Sequence, residues 1–201
     1  MGQAEESPAR NIDEIDVLRG AEYSLLSVLL GAAPSAELLA RVAELRGDAT
    51  PLGMAHLELA EAASRTNEAA VSREFFNLFI GVGRGELLPY GSWYQTGFLH
   101  ERPLARIRED MAQLGIEREG PSKEPEDHIA ILCEIMAGMA QGQFEADVDQ
   151  QARFFDRHVA PWAAKFFADL EINQAATFFK SVGRVGRTFI ELEQEAFKLP
   201  H

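Results

Sequence analysis

Cysteine is nearly missing from this chain: Cys133 is the single one among 201 residues, so no internal disulfide staples the fold. None is needed, because a domain of this length buries roughly 70% of the surface its unfolded chain exposes. Long apolar runs are missing too. No stretch of about 18 consecutive apolar residues occurs, and no charged n-region leads into an apolar h-region, so the expectation is a cytoplasmic protein without a membrane span. Basic residues are scarce, 19 against 32 acidic ones, and the net charge of -13 repels nucleic-acid backbones while favouring cationic partners. Such a balance also serves solubility alone, so charge supports a partner class without defining one.

Metal and nucleotide signatures are equally thin. His56, His100, His128, His158 and His201 show neither HxxxH nor HExxH spacing, and the lone cysteine has no partner motif. Gly81, Gly83 and Gly85 form a GxGxG string, but a helical pattern precedes it where a dinucleotide fold needs a strand, and no GxxxxGK[ST] occurs. SVGRVGR, from Ser181 to Arg187, lies inside a helical stripe. No cofactor is expected.

Strand-like alternation is absent, and nearly every apolar segment carries helical spacing. The expectation is an all-α, single-domain bundle of about eight or nine helices. Asp13 caps a first helix with Leu18, Glu22, Leu25, Leu26 and Leu29 on its inward face, ended by Gly31 and Pro34. Ser35 opens a second helix to Leu45, a third runs from Pro51 to Ser64, and Asn67 opens a fourth with Val71, Phe75, Leu78 and Phe79 on one side. Gly81 to Gly97 holds five glycines and a proline, which reads as a long ordered loop with at most one short turn. Leu104, Ile107, Met111 and Leu114 mark the next helix. The charged segment from Arg118 follows as a hinge, dividing the single domain 1–201 into parts 1–117 and 127–201 around 118–126. Helical spacing resumes at Ile129, and three further stripes complete the chain: Phe144 to Phe155, Val159 to Leu170, and Phe178 to Leu192. The last two form an antiparallel hairpin.

Chemistry-bearing residues concentrate between Glu74 and His128. Seven aromatics fall within 24 residues: Phe75, Phe76, Phe79, Tyr90, Trp93, Tyr94 and Phe98. They either anchor the loop to the core or, for Tyr90, Trp93 and Tyr94 among glycines, form a surface that recognises an apolar peptide. Glu124, Glu126, Asp127 and His128 stand at a helix start, where free backbone N–H groups favour carboxylates. Asp127 beside His128 suggests acid–base chemistry, but neighbours on a helix diverge by about 100 degrees, and no nucleophile is placed by a motif. An enzyme is not expected.

LFIGVG at 78–83, LPYGS at 88–92, EPEDH at 124–128 and HVAPW at 158–162 together resemble the TorD/DmsD family of cytoplasmic chaperones that mature molybdenum-containing redox enzymes exported by the twin-arginine route. Val82 stands where that family usually has proline, and Leu88 and Tyr90 replace its Pro and Trp. The resemblance implies binding of the twin-arginine signal peptide, and of the apo-molybdoenzyme client, until cofactor is inserted, blocking premature export. Carried over residue by residue, Tyr23, Phe75, Phe79, Pro89, Tyr90, Ser92, Tyr94, Glu124, Asp127 and His128 would line or support the peptide site. Some members have been proposed to bind guanine nucleotides, and the family permits domain exchange, leaving monomer or swapped dimer open. The alternative is a general helical scaffold without signal-peptide specificity.

Overall fold

A computed structural model of the chain describes residues 12–117 and 124–199. Among them are ten α-helices in the order α1 (Glu14–Gly31), α2 (Ala36–Ala43), α3 (Pro51–Ser64), α4 (Glu68–Phe75), α5 (Gly91–Thr96), α6 (Arg102–Gln113), α7 (Ile129–Ala140), α8 (Val148–His158), α9 (Ala163–Ile172) and α10 (Phe178–Ala196). A π-helical turn, Phe76–Ile80, extends α4. The all-α expectation holds, with one helix more than the pattern indicated: α5 forms inside the glycine-rich loop. Of the hinge expected at 118–126, residues 118–123 lie outside the described ones.

Local sequence starts most helices. Asp13 Oδ1 accepts from the Asp16 amide at 2.8 Å, and Ser35, Thr50 and Asn67 cap α2, α3 and α4 in the same way. Asp147 and Gln150 form a reciprocal capping box on α8.

The centre of the bundle is α7, on which every residue but Glu134 is buried. A helix apolar all round has to be enclosed on all sides, and α1 lies along it. The inward face of α1 is Asp16, Gly20, Tyr23, Leu26 and Leu30, with Leu29 beside it. Leu18, expected on that face, is instead 64% exposed, because the buried stripe is set one turn-position over by the glycine–tyrosine pair. Arg19 joins α1 to α10 through two 2.8 Å bonds to Glu193, and the Tyr23 hydroxyl donates to the same carboxylate at 2.9 Å. Glu22, the odd polar member of the first stripe, meets His56 on α3 at 3.0 Å.

The expected hairpin is present as α9 packed on α10. Gly183 and Gly186 make the approach possible: a Cβ at Gly183 would lie 2.6 Å from the Glu171 amide nitrogen, and one at Gly186 2.2 Å from the Phe167 ring. The glycines of SVGRVGR therefore serve close helix packing. Glu74 holds the other end of α10, accepting from the amides of Thr177, Phe178 and Phe179 at 2.6, 3.1 and 2.8 Å. Thr177 itself makes no side-chain cap, so a carboxylate from α4 caps α10 across the fold.

Candidate functional site

Two backbone segments, LPYGS and EPEDH with the residue after it, clip together to build the site. The Ile129 amide donates to the Pro89 carbonyl at 2.9 Å, the Gly91 amide donates to the Asp127 carbonyl at 2.8 Å, and Tyr90 and His128 form an antiparallel bridge. Side chains complete the clip. Asp127, 1% exposed, accepts from the Ser92 amide at 2.8 Å and from the Ser92 hydroxyl, which is itself fully buried. LPYGS and EPEDH are thus the two halves of one clamp.

The cap of α7 differs from the expectation. No carboxylate of the EPED run caps it; His128 Nδ1 accepts from the Ala130 amide at 3.1 Å, while Asp127 is committed to Ser92. Accepting at Nδ1 leaves the proton of a neutral ring on Nε2. Asp127 and His128 thus serve different partners instead of pairing as acid and base.

Two cavities flank the clamp and share Tyr90 and Glu124. The larger, about 420 Å³, is an apolar groove between the end of α1 (Leu30 to Ala33) and the face made by Phe75, Phe76, Phe79 and Ile80, closed by Pro89 and His128. The smaller, about 240 Å³, is mixed in character, walled by Ser92, His100 and Asp127 together with Leu99 and Pro125. Between them the Tyr90 hydroxyl donates to Glu124 at 2.7 Å, and its ring meets His128 edge-on at 5.1 Å. Burial, and then the Glu124 carboxylate, push the Tyr90 phenol well up, so it remains a neutral donor.

The π-helical turn shapes the groove. Its extra residue per turn ends in the 2.7 Å bond from the Gly81 amide to the Phe76 carbonyl, and Gly81 leaves it at φ 64, which suits glycine. Phe76 and Ile80 face outward, 42% and 54% exposed, while Phe75 and Phe79 pack edge-on to each other and against Phe179. Val82, the departure from the family's proline, stands at the loop tip and is 97% exposed. Arg84 lies over the Trp93 ring at 4.5 Å.

Of the residues expected at the site, Phe75, Phe79, Pro89, Tyr90, Ser92, Glu124, Asp127 and His128 come together around these cavities. Tyr23 and Tyr94 do not line either one. Tyr23 is fully buried against Phe189 and Glu193. Tyr94 turns toward α9, packing on Trp162 and Phe166 and donating to Asp169 at 3.2 Å. Phe76, Ile80 and the Leu30–Ala33 corner were outside the expected set. Phe76 and Ile80 carried a signal, being apolar yet off the stripe of Val71, Phe75 and Leu78. Among the described residues, no group of His, Cys, Asp and Glu is arranged to hold a metal ion, and no helix is long and apolar enough to cross a membrane.

The arrangement places this chain first in a class of all-helical proteins: a crystal structure of an Archaeoglobus fulgidus protein assigned to redox enzyme maturation has the same fold, with a TM-score of 0.56 at 18% identity over 93% of this chain and 99% of that one. Residues 45–168 match the family model described as nitrate reductase delta subunit, and the chain belongs to that family. The matched stretch contains all four motifs, from LFIGVG to HVAPW. Curated relatives include the chaperone protein TorD of Vibrio cholerae, 26% identical over 62% of this chain and 60% of the relative, and that of Vibrio atlanticus, 27% identical over 62% and 63%. The similarity therefore spans about three fifths of those relatives' length.

Proposed function

We propose that this protein is a cytoplasmic chaperone, not an enzyme, that grips the twin-arginine signal peptide of a molybdenum-containing oxidoreductase and holds its apo form until cofactor is inserted. The observation that carries this reading is the pairing of an apolar groove with a smaller, mixed cavity bordered by the Glu124 carboxylate, across the shared Tyr90–Glu124 bond. A signal peptide carries a cationic n-region followed by an apolar h-region, so the groove suits the second and the Glu124 side of the smaller cavity the first, with Asp127 holding the clamp behind it. The net charge of -13 steers the cationic end inward. The TorD relatives and the family membership support a role in redox-enzyme maturation.

Ordering a disordered peptide costs about 2–5 kcal/mol of the gross interaction, so affinity should be modest, roughly micromolar or about -8 kcal/mol. A grip of that strength permits release to the export machinery. The chain acts as one domain. Because α1 packs on α7, any exchanged dimer has to re-form that contact between protomers.

Ile80→Asp tests the reading, since Ile80 lines the groove yet is half exposed. Loss of twin-arginine peptide binding with an unchanged melting temperature is expected. Full affinity in a folded Ile80→Asp protein would remove the groove from recognition and leave a scaffold without signal-peptide specificity.

A further inference from the structure

His158 lines neither cavity, yet a closed ring of contacts ties it to them. Its Nε2 lies 2.6 Å from Asp110 Oδ2 on α6, and the side chain is 2% exposed. Burial holds the imidazole below its ordinary range against the opposing pull of Asp110, with Arg157 and Arg106 adding to the lowering. The ring is therefore neutral at pH 7, and Nε2–H is the donor to Asp110.

The same residue ends α8, and its backbone carbonyl accepts the Trp162 indole N–H at 2.8 Å. Trp162 is the surface on which α5 rests. A Cβ at Gly91 would lie 3.0 Å from Trp162 Nε1, and the Tyr94 ring packs 5.4 Å from the indole. From α5 the chain runs on into α6, which carries Asp110, so the contacts return to their start. Inside that ring stands Ser92, held by Asp127 at the wall of the smaller cavity.

We propose that His158 and Asp110 are positioning residues for the peptide site: their bond fixes the last turn of α8, which sets Trp162, which sets α5 and with it Ser92 and Tyr90. The proposal rests on the peptide-binding reading of the groove. A residue that merely fills space would be replaced equally well by any ring of similar size. The positioning role instead requires a donor where Nε2 now sits. His158→Gln retains an amide donor that reaches there; His158→Phe retains the ring and loses the donor.

Trp162 reports on the ring without ligand when Trp93, the other of the two tryptophans, is replaced by Phe. In that background His158→Phe should red-shift Trp162 emission and raise its quenching by acrylamide, and His158→Gln should restore both. In the parent background, His158→Phe should weaken binding of a twin-arginine peptide about tenfold, with recovery in His158→Gln. Parent-like emission and affinity in a folded His158→Phe protein overturn the proposal, as does failure of His158→Gln to recover. Should His158→Phe not fold, Asp110→Ala removes the acceptor of His158 together with that of Arg157, so Arg157→Ala is its control; a red shift in Asp110→Ala beyond that of Arg157→Ala is expected, and parent-like emission is contrary. If the parent binds no peptide, the functional reading fails, while the fluorescence still decides whether His158 positions Trp162.

Discussion

Replacing Asp127 by alanine separates a clamp from a ligand contact. In the folded protein its carboxylate is 1% exposed and receives both the amide and the hydroxyl of Ser92, which is itself fully buried. Truncation leaves two buried donors without an acceptor, and hydrogen bonds to a charged group contribute about 1.5–3 kcal/mol each, with partial relaxation of the loop offsetting some of the loss. A destabilisation of about 2–4 kcal/mol follows, and at about 2–4 °C per kcal/mol for a chain of this size the melting temperature should fall by about 4–16 °C. Peptide affinity should fall too, because the clamp sets Tyr90 between the two cavities. Differential scanning calorimetry on Asp127→Ala, Ser92→Ala and the double variant checks this, with a coupling energy of about 1 kcal/mol expected between the two sites. An unchanged melting curve combined with weaker peptide binding would refute the clamp and make Asp127 a direct contact.

Three further outcomes follow from the packing. Glu74→Ala removes the acceptor for three amides at the start of α10, so a loss of about 1–3 kcal/mol is expected in denaturant unfolding, with Glu74→Gln retaining part of it. Gly186→Ala drives a Cβ to 2.2 Å from the Phe167 ring, and overpacking of that kind should cost about 1–3 kcal/mol, read as a lower urea midpoint; an unchanged midpoint would mean α9 and α10 separate freely. His56 is raised by its bond to Glu22, which outweighs burial, so its contribution is fully present below its unfolded pKa of about 6.5 and is lost as pH rises through the higher folded value. His158 is lowered and has the opposite slope, so the test is the difference between parent and His56→Gln: the variant's melting temperature should fall less from about pH 6 to about pH 8.

What was legible in the sequence was local. Asp13, Ser35 and Asn67 each bond an amide three residues on, and Pro51 to Ser64 is bounded by a proline and a polar run, so these helices read correctly from short windows. The clamp motifs were visible as words, LPYGS and EPEDH, but not as partners, because the Ser92–Asp127 bond joins residues 35 apart. Glu74 capping α10 across more than a hundred residues has no local signature at all. The fifth helix escaped notice because Gly91 and Gly97 bracket it as breakers, although Gly91 is there to clear Trp162 and Gly97 to end the turn in a left-handed conformation. The π-helical turn was hidden for a related reason: a helix stripe assumes 3.6 residues per turn and does not register the residue added between Phe76 and Gly81. Aromatic density has two readings, and Tyr94 illustrates the ambiguity, since it anchors α5 to α9 instead of facing a cavity.

The central claim is tested most directly by calorimetric titration of the purified chain with twin-arginine signal peptides from molybdoenzyme precursors, beside twin-lysine and scrambled h-region controls. Saturable one-to-one binding near micromolar Kd to one or two peptides, lost in the controls, is the expected result. Absence of binding across the panel by the folded protein, or equal binding to the scrambled controls, would contradict it.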